Sequence, residues 1–256
     1  MPRQPSRYGA ASSSFSFGPG PISTALKTII GVNVVMFLLT TALPQLRIEL
    51  GLVPMWVVTQ LRVWQLVTYM FIHAGVLHIL FNMLMLWFLG AELERLWGTR
   101  FFVKFYFVSG IGAGVLTVLL SMLPYQPLAE LYSSDIIGAS GAVYGLLLAY
   151  GLYFPDRPIY MYFVFPIPAR IFVIILGAMA FFSSLADSGC RLANATHLCG
   201  LLVAYVYLKS LRLRLNPWAE VKYRYVKWKL NKARKKFDVY SGGRSDPKGG
   251  WDRRVH

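Results

Sequence analysis

Long apolar runs alternate with short polar breaks along this chain. Six runs, near residues 24–43, 66–90, 101–123, 138–154, 169–187 and 195–211, are long enough, or nearly so, to cross roughly 30 Å of hydrocarbon as helices. Backbone groups in lipid must satisfy one another within the segment, so runs of this length predict an all-α membrane protein: a six-transmembrane-helix bundle in which strands play no part. The fourth run is the shortest, about 17 residues or about 25 Å of helix, and it opens with "GASGAVYG", residues 138–145. Ser140 is therefore expected below the outer surface, buried or at the foot of a water-filled recess.

The breaks complete the layout. A Ser/Gly/Pro-rich stretch from Met1 to Pro21 lacks the apolar core and cleavage site of a secretory signal and is expected to be a disordered leader. The segment Pro44 to Trp64 carries Leu50, Leu52, Val53, Met55 and Trp56, more apolar residues than an ordinary loop, and fits an amphipathic stretch in the membrane interface. Beyond the sixth run, Trp218, Val221, Tyr225 and Trp228 recur at helical spacing among lysines and arginines, as in a basic amphipathic helix on a membrane surface. The expected organisation is a leader over 1–21, a six-span domain over 22–211 and a basic tail over 212–256. Six spans place both termini on one side, and the Lys/Arg-rich tail makes that side the cytoplasm. Arg95, Arg100 and Arg157 then lie inside, while Arg47, Arg62 and Arg191 lie outside beside Glu49, Glu130, Asp135 and Asp187. A multi-pass protein of a bacterial inner membrane is the simplest fit.

Composition reinforces the membrane reading: 56% of residues are hydrophobic, only 14% are charged, and the mean hydropathy is +0.50. A formal net charge of +15 raises the question of nucleic acid, but most of it sits in the tail, from Lys209 onward. A basic segment directly after a span points to cytoplasmic retention and anionic membrane lipid, so no nucleic-acid partner is expected. Two cysteines, Cys190 and Cys199, are too few for a disulfide framework or a thiolate metal site.

Polar groups inside spans are costly and need a partner or a purpose. Four stand out: His78 and Asn82 in the second run, Ser140 in the fourth, His197 in the sixth. Gly141 and Gly145 form a GxxxG that close helix packing alone explains, and a serine beside it is ordinarily structural. His197 changes the balance, because imidazole accepts a hydroxyl proton near neutral pH and turns serine into a nucleophile. Gly200 and Ala204 share a helical face with His197 and allow that face to press on Gly141 and Gly145. His78 and Asn82, four residues apart, point from one helix face and carry the donors an oxyanion hole requires, although a polar clasp between helices explains them too. A metal site would need His73, His78 and His197 to converge without an acidic ligand, a poorer reading.

With "HAGVLHILFN" (residues 73–82), "GAELERLWG" (90–98), "GASGAVYG" and "ATHLCG" (195–200) in this order among six spans, the chain resembles the rhomboid intramembrane serine proteases over roughly residues 22–210. The resemblance implies Ser140 as nucleophile, His197 as general base and then acid, and His78 and Asn82 as the oxyanion hole beside the Ser140 backbone N–H. It also implies Tyr144 packed against the catalytic imidazole, Glu94 tying a cytoplasmic loop, and Gly138, Gly141 and Gly200 as supporting positions, with no cofactor and no metal. Two positions depart from the pattern. Gln65 follows Trp64 where the family often has Arg, and Ala204 stands where a glycine usually continues after Gly200, widening that contact slightly. No carboxylate is placed to orient His197, which favours a Ser/His dyad. Residues 131–137 and the loop after Asp187 are candidate lids. The implied substrates are transmembrane segments of other proteins, cleaved near their outer ends where a helix unwinds. A rhomboid-like protein that binds membrane helices without cleaving them is the main alternative, a small transporter the lesser one. The sequence carries no signal for oligomeric state.

Overall fold

Ser23 stands at the edge of the first apolar run, and its Oγ accepts from the Leu26 N–H, capping helix α1 (Thr24–Ala42). The structure, a computed structural model, describes residues 21–124, 126–161, 165–185, 191–215, 225–229 and 232. The expected leader up to residue 20 and most of the expected tail, including Trp218 and Val221, lie outside the described residues, as do Asp187 and Cys190. Two compact units divide the chain, Met1–Leu208 and Lys209–His256. In the second, the described turn over 225–229 brings the Lys232 ammonium 5.1 Å from the centre of the Trp228 ring.

After α1 the chain makes short helices α2 (Gln45–Leu50), α3 (Pro54–Gln60) and α4 (Gln65–Thr68) and a 3-10 turn over Tyr69–Phe71. This region is more deeply packed than an interfacial loop: Leu52, Val53 and Val57 are buried. Gln65, completely buried, holds it from within. Its side-chain carbonyl accepts from the Val53 N–H and its amide donates to the Glu49 carbonyl, which also receives the Trp64 indole N–H. The long helices α5 (Val76–Trp97) and α6 (Thr99–Ser121) follow. The second span thus begins ten residues later than hydropathy suggests, since Tyr69, Met70 and Ile72 are buried in the turn region rather than carried on a continuous helix. Gly98 alone joins α5 to α6 at φ 79°, a value that favours glycine. Buried Glu94 fastens this corner, accepting hydrogen bonds from Ser23 (2.5 Å) and Thr99 (2.7 Å).

Helix α7 (Gln126–Ser133) leads to α8 (Ser140–Tyr153), a two-stranded antiparallel hairpin of β1 (Pro158–Met161) and β2 (Phe165–Pro168), then α9 (Ala169–Leu185) and α10 (Arg191–Leu215). The hairpin was not expected. Its prolines at 158, 166 and 168 break helix, and a two-stranded ribbon tolerates them because each strand has an outer edge with no ladder to supply. Among the described residues α1, α5 and α6 are long and apolar enough to cross a membrane, while α8 and α9 are shorter apolar helices.

Helix α8 occupies the middle of the core. Gly141, Ala142, Val143, Gly145, Leu146, Leu147, Ala149, Tyr150 and Gly151 are all buried, so it is enclosed on nearly every side. Small residues set the spacing. A Cβ on Gly141 would lie 3.0 Å from Ala113 of α6, and one on Gly145 would lie 2.7 Å from Ser109 of α6 and 3.3 Å from Ala204 of α10. A Cβ on Gly200 would collide with the Gly141 carbonyl oxygen at 2.1 Å. Ala204 is itself fully buried, so the extra methyl is accommodated within this seam.

Candidate active site

Ser140 is the first residue of α8, and its position is set by the segment before it. Ile136 pairs with Leu52 through two backbone hydrogen bonds of 2.9 Å, and the Arg47 guanidinium bonds Asp135 at 3.1 Å. The Gly138 N–H then donates to the Tyr69 carbonyl at 2.9 Å, with Gly138 at φ 114°. No other residue suits this position: besides the conformation, a Cβ there would stand 2.8 Å from His78 Nε2. The chain turns directly into α8, so the Ser140 N–H is among the first amides of a helix and has no acceptor within it.

The seam between α8 and α10 brings His197 to the nucleophile. Its Nε2 lies 2.8 Å from Ser140 Oγ. The rings of His197 and Tyr144 are stacked, centroids 4.3 Å apart and planes 9° apart, so packing fixes the imidazole plane. His197 Nδ1 is buried and has no hydrogen-bond partner among the described residues. With the serine hydroxyl donating to Nε2, the ring proton resides on Nδ1, the tautomer a base needs.

His78 faces the same space from α5. The Ala74 N–H approaches its Nδ1 at 3.4 Å, which leaves Nε2 as the protonated donor beside Gly138. A cavity of about 120 Å³ opens here, lined by Ser140, His78, Tyr69, Thr196, Asp135 and Ile137, with room for a few water molecules. Thr196 and Thr117 are 3.2 Å apart through their hydroxyls, and the Tyr69 hydroxyl donates to the Gly110 carbonyl at 2.6 Å. Asn82 is placed differently from its neighbour: it is buried one turn inward, and its amide donates to the His78 carbonyl at 2.8 Å. Ser140, His197, His78 and Tyr144 converge, then, while Asn82 acts on the backbone of the helix that carries His78. Of the candidate lids, Leu131 and Ile136 are buried parts of the packed wall, and the loop after Asp187 lies outside the described residues. Among those residues no three His, Cys, Asp or Glu side chains gather as a metal site requires. Reading the sequence missed Tyr69 and Thr196; both sit beside residues it singled out, but neither carries a pattern distinguishing a cavity wall from a packed core.

The family model for the rhomboid domain matches residues 60–214. The chain is similar to RHOMBOID-like protein 4 of Arabidopsis thaliana, 39% identical over 84 residues, 33% of this chain and 19% of that one. It is also similar to the rhomboid protease GluP of Bacillus subtilis, 29% identical over 150 residues, 59% of this chain and 26% of the relative. With the rhomboid protease GlpG of Yersinia pestis it shares 30% identity over 146 residues, 56% of this chain and 46% of the relative. The matched stretch thus spans less than half the length of each of these relatives.

Proposed function

The chain belongs to the rhomboid family and is an integral membrane protein, and from that premise we propose that it is a serine endopeptidase cleaving transmembrane segments near their outer ends. The observation that carries the reading is the 2.8 Å approach of His197 Nε2 to Ser140 Oγ on the wall of a cavity. Ser140 Oγ attacks the scissile carbonyl carbon as its proton passes to His197 Nε2. The negative charge that develops on the carbonyl oxygen is met by the Ser140 N–H and by His78 Nε2–H, donors held in place before reaction. Asn82 keeps the His78 turn in position and has a second amide hydrogen to offer. The imidazolium returns its proton to the departing amine, breaking the C–N bond, and leaves an acyl ester on Ser140. Water then attacks that ester with His197 again as base, which releases the new carboxylate and restores the hydroxyl.

The orientation of the imidazole comes from its stack on Tyr144, so a Ser/His dyad suffices. The substrate must present an extended backbone, since a helical peptide bond shields its carbonyl; residues that weaken helix near the outer surface favour cleavage. In this reading α1, α5, α6, α8, α9 and α10 are the six spans, both termini are cytoplasmic, and a bacterial inner membrane is the setting. The test is cleavage of a single-span reporter by the detergent-solubilised full chain. Wild type is expected to cut near the reporter's outer end, and Ser140→Ala and His197→Ala to lose at least about a thousandfold in rate. Cleavage that persists in Ser140→Ala, or a wild type that binds the reporter without cutting it, overturns the assignment.

A further inference from the structure

A second polar cluster lies at the opposite end of the helices that carry the site, and the chemistry above makes no use of it. Glu92 stands on α5 about 15 Å inward of Asn82, and Tyr150 on α8 about 15 Å inward of Ser140, by helical rise. The buried Tyr150 hydroxyl donates to Glu92 Oε2 at 3.2 Å. The same carboxylate oxygen receives the Arg157 guanidinium. Arg157 is fixed in turn: its N–H donates to the Phe154 carbonyl at 3.1 Å, its carbonyl accepts from Ala169 at 2.8 Å, and its guanidinium lies 5.3 Å from the centre of the Phe154 ring. Between this cluster and the site, the buried side chains of both helices are mostly apolar, such as Leu86 and Leu89 on α5 and Leu146 and Leu147 on α8. Apolar contact is non-directional and sets how near two helices come far better than how far one slides along the other. A charge-assisted hydrogen bond is directional and fixes that register.

We propose that Glu92, acting through Tyr150 and Arg157, is a positioning residue that sets the axial register of α8 against α5, and with it the place of Ser140 relative to the donor on His78. The inference rests on the proteolytic reading of Ser140 and His78. Because the two rigid helices share this anchor, a shift at Glu92 is carried to the reacting atoms, where displacements well under an ångström already change rates.

The experiment uses the full chain in detergent with the single-span reporter, measuring kcat, KM and melting temperature. Glu92→Ala is expected to lower kcat about tenfold with KM held within about twofold, since binding is intact and geometry is not. The exchange Glu92→Arg with Arg157→Glu restores the pair and is expected to bring kcat back to within about threefold of wild type. Ser23→Ala, which loosens a different corner, serves as the control: it lowers melting temperature without moving kcat. Should Glu92→Ala fail to fold, Tyr150→Phe replaces it, with an expected fall in kcat of about threefold at unchanged KM. Variants that melt earlier yet keep wild-type kcat, or an exchange that restores melting temperature but not kcat, overturn the inference while the protease assignment stands. A wild-type chain that cleaves no reporter removes the assignment first, and this inference with it.

Discussion

The outer and inner ends of α8 are held by opposite means. At the outer end, missing side chains do the work: Gly141 and Gly200 meet backbone to backbone, Gly138 leaves room for His78, and the His197 ring is held by stacking on Tyr144. At the inner end, a carboxylate does it: Glu92 gathers Tyr150 and Arg157, as Glu94 gathers Ser23 and Thr99 at the separate corner of α1, α5 and α6. The contrast follows from what each end must do. In the proposed mechanism the outer end carries the reacting pair, and there close packing of small residues sets the fine spacing while the Arg47–Asp135 pair holds only the segment that leads into α8. The inner end carries no chemistry, and directional ionic contacts serve it well provided every buried carboxylate is paired.

Substitutions that add or remove one small group separate these two modes. The largest effect is expected from Gly200→Ala, whose methyl would meet the Gly141 carbonyl at 2.1 Å. Forcing α8 and α10 apart should cut cleavage by about a hundredfold and destabilise by about 3 kcal/mol, read as rate and as a shift in thermal melting. Gly138→Ala comes next. It adds strain at φ 114° and crowds His78 Nε2, so a loss of about 2 kcal/mol is expected, with kcat reduced more than KM is raised. Ser23→Ala, at the corner of α1, α5 and α6, is expected to be mildest. It removes the α1 cap and one donor to Glu94, for about 1 kcal/mol, leaving kcat as it was. A Gly200→Ala enzyme as active as wild type would erase the contrast, because shape would then not be holding the outer end.

Much of this was legible before any coordinates. Small residues at matching intervals in the fourth and sixth runs pointed to the seam, and one hydroxyl and one imidazole on those faces pointed to what the seam brings together. Other features were hidden for physical reasons. The run from residue 66 looked like the start of a span because hydropathy does not distinguish burial in protein from burial in lipid; the chain instead packs Tyr69, Met70 and Ile72 inside and starts α5 at Val76. Gln65 read as a departure from the family pattern, yet its amide does the anchoring by binding the Val53 N–H and the Glu49 carbonyl together. Arg157 read as one more loop charge, and Glu92 was passed over inside "GAELERLWG", because pairing between residues 65 positions apart leaves no local trace. Asn82 and His78 share a helix face as their spacing requires, but spacing alone did not show that the Asn82 amide donates to the His78 carbonyl.

The central claim is that Ser140 and His197 form one reactive unit, and phosphonylation reads it most directly. After the solubilised full chain is incubated with a fluorophosphonate, tandem mass spectrometry of its peptides should place the added mass on Ser140 in wild type and find none there in His197→Ala. An adduct on another residue, or one on Ser140 that forms equally well without the imidazole, would contradict the account.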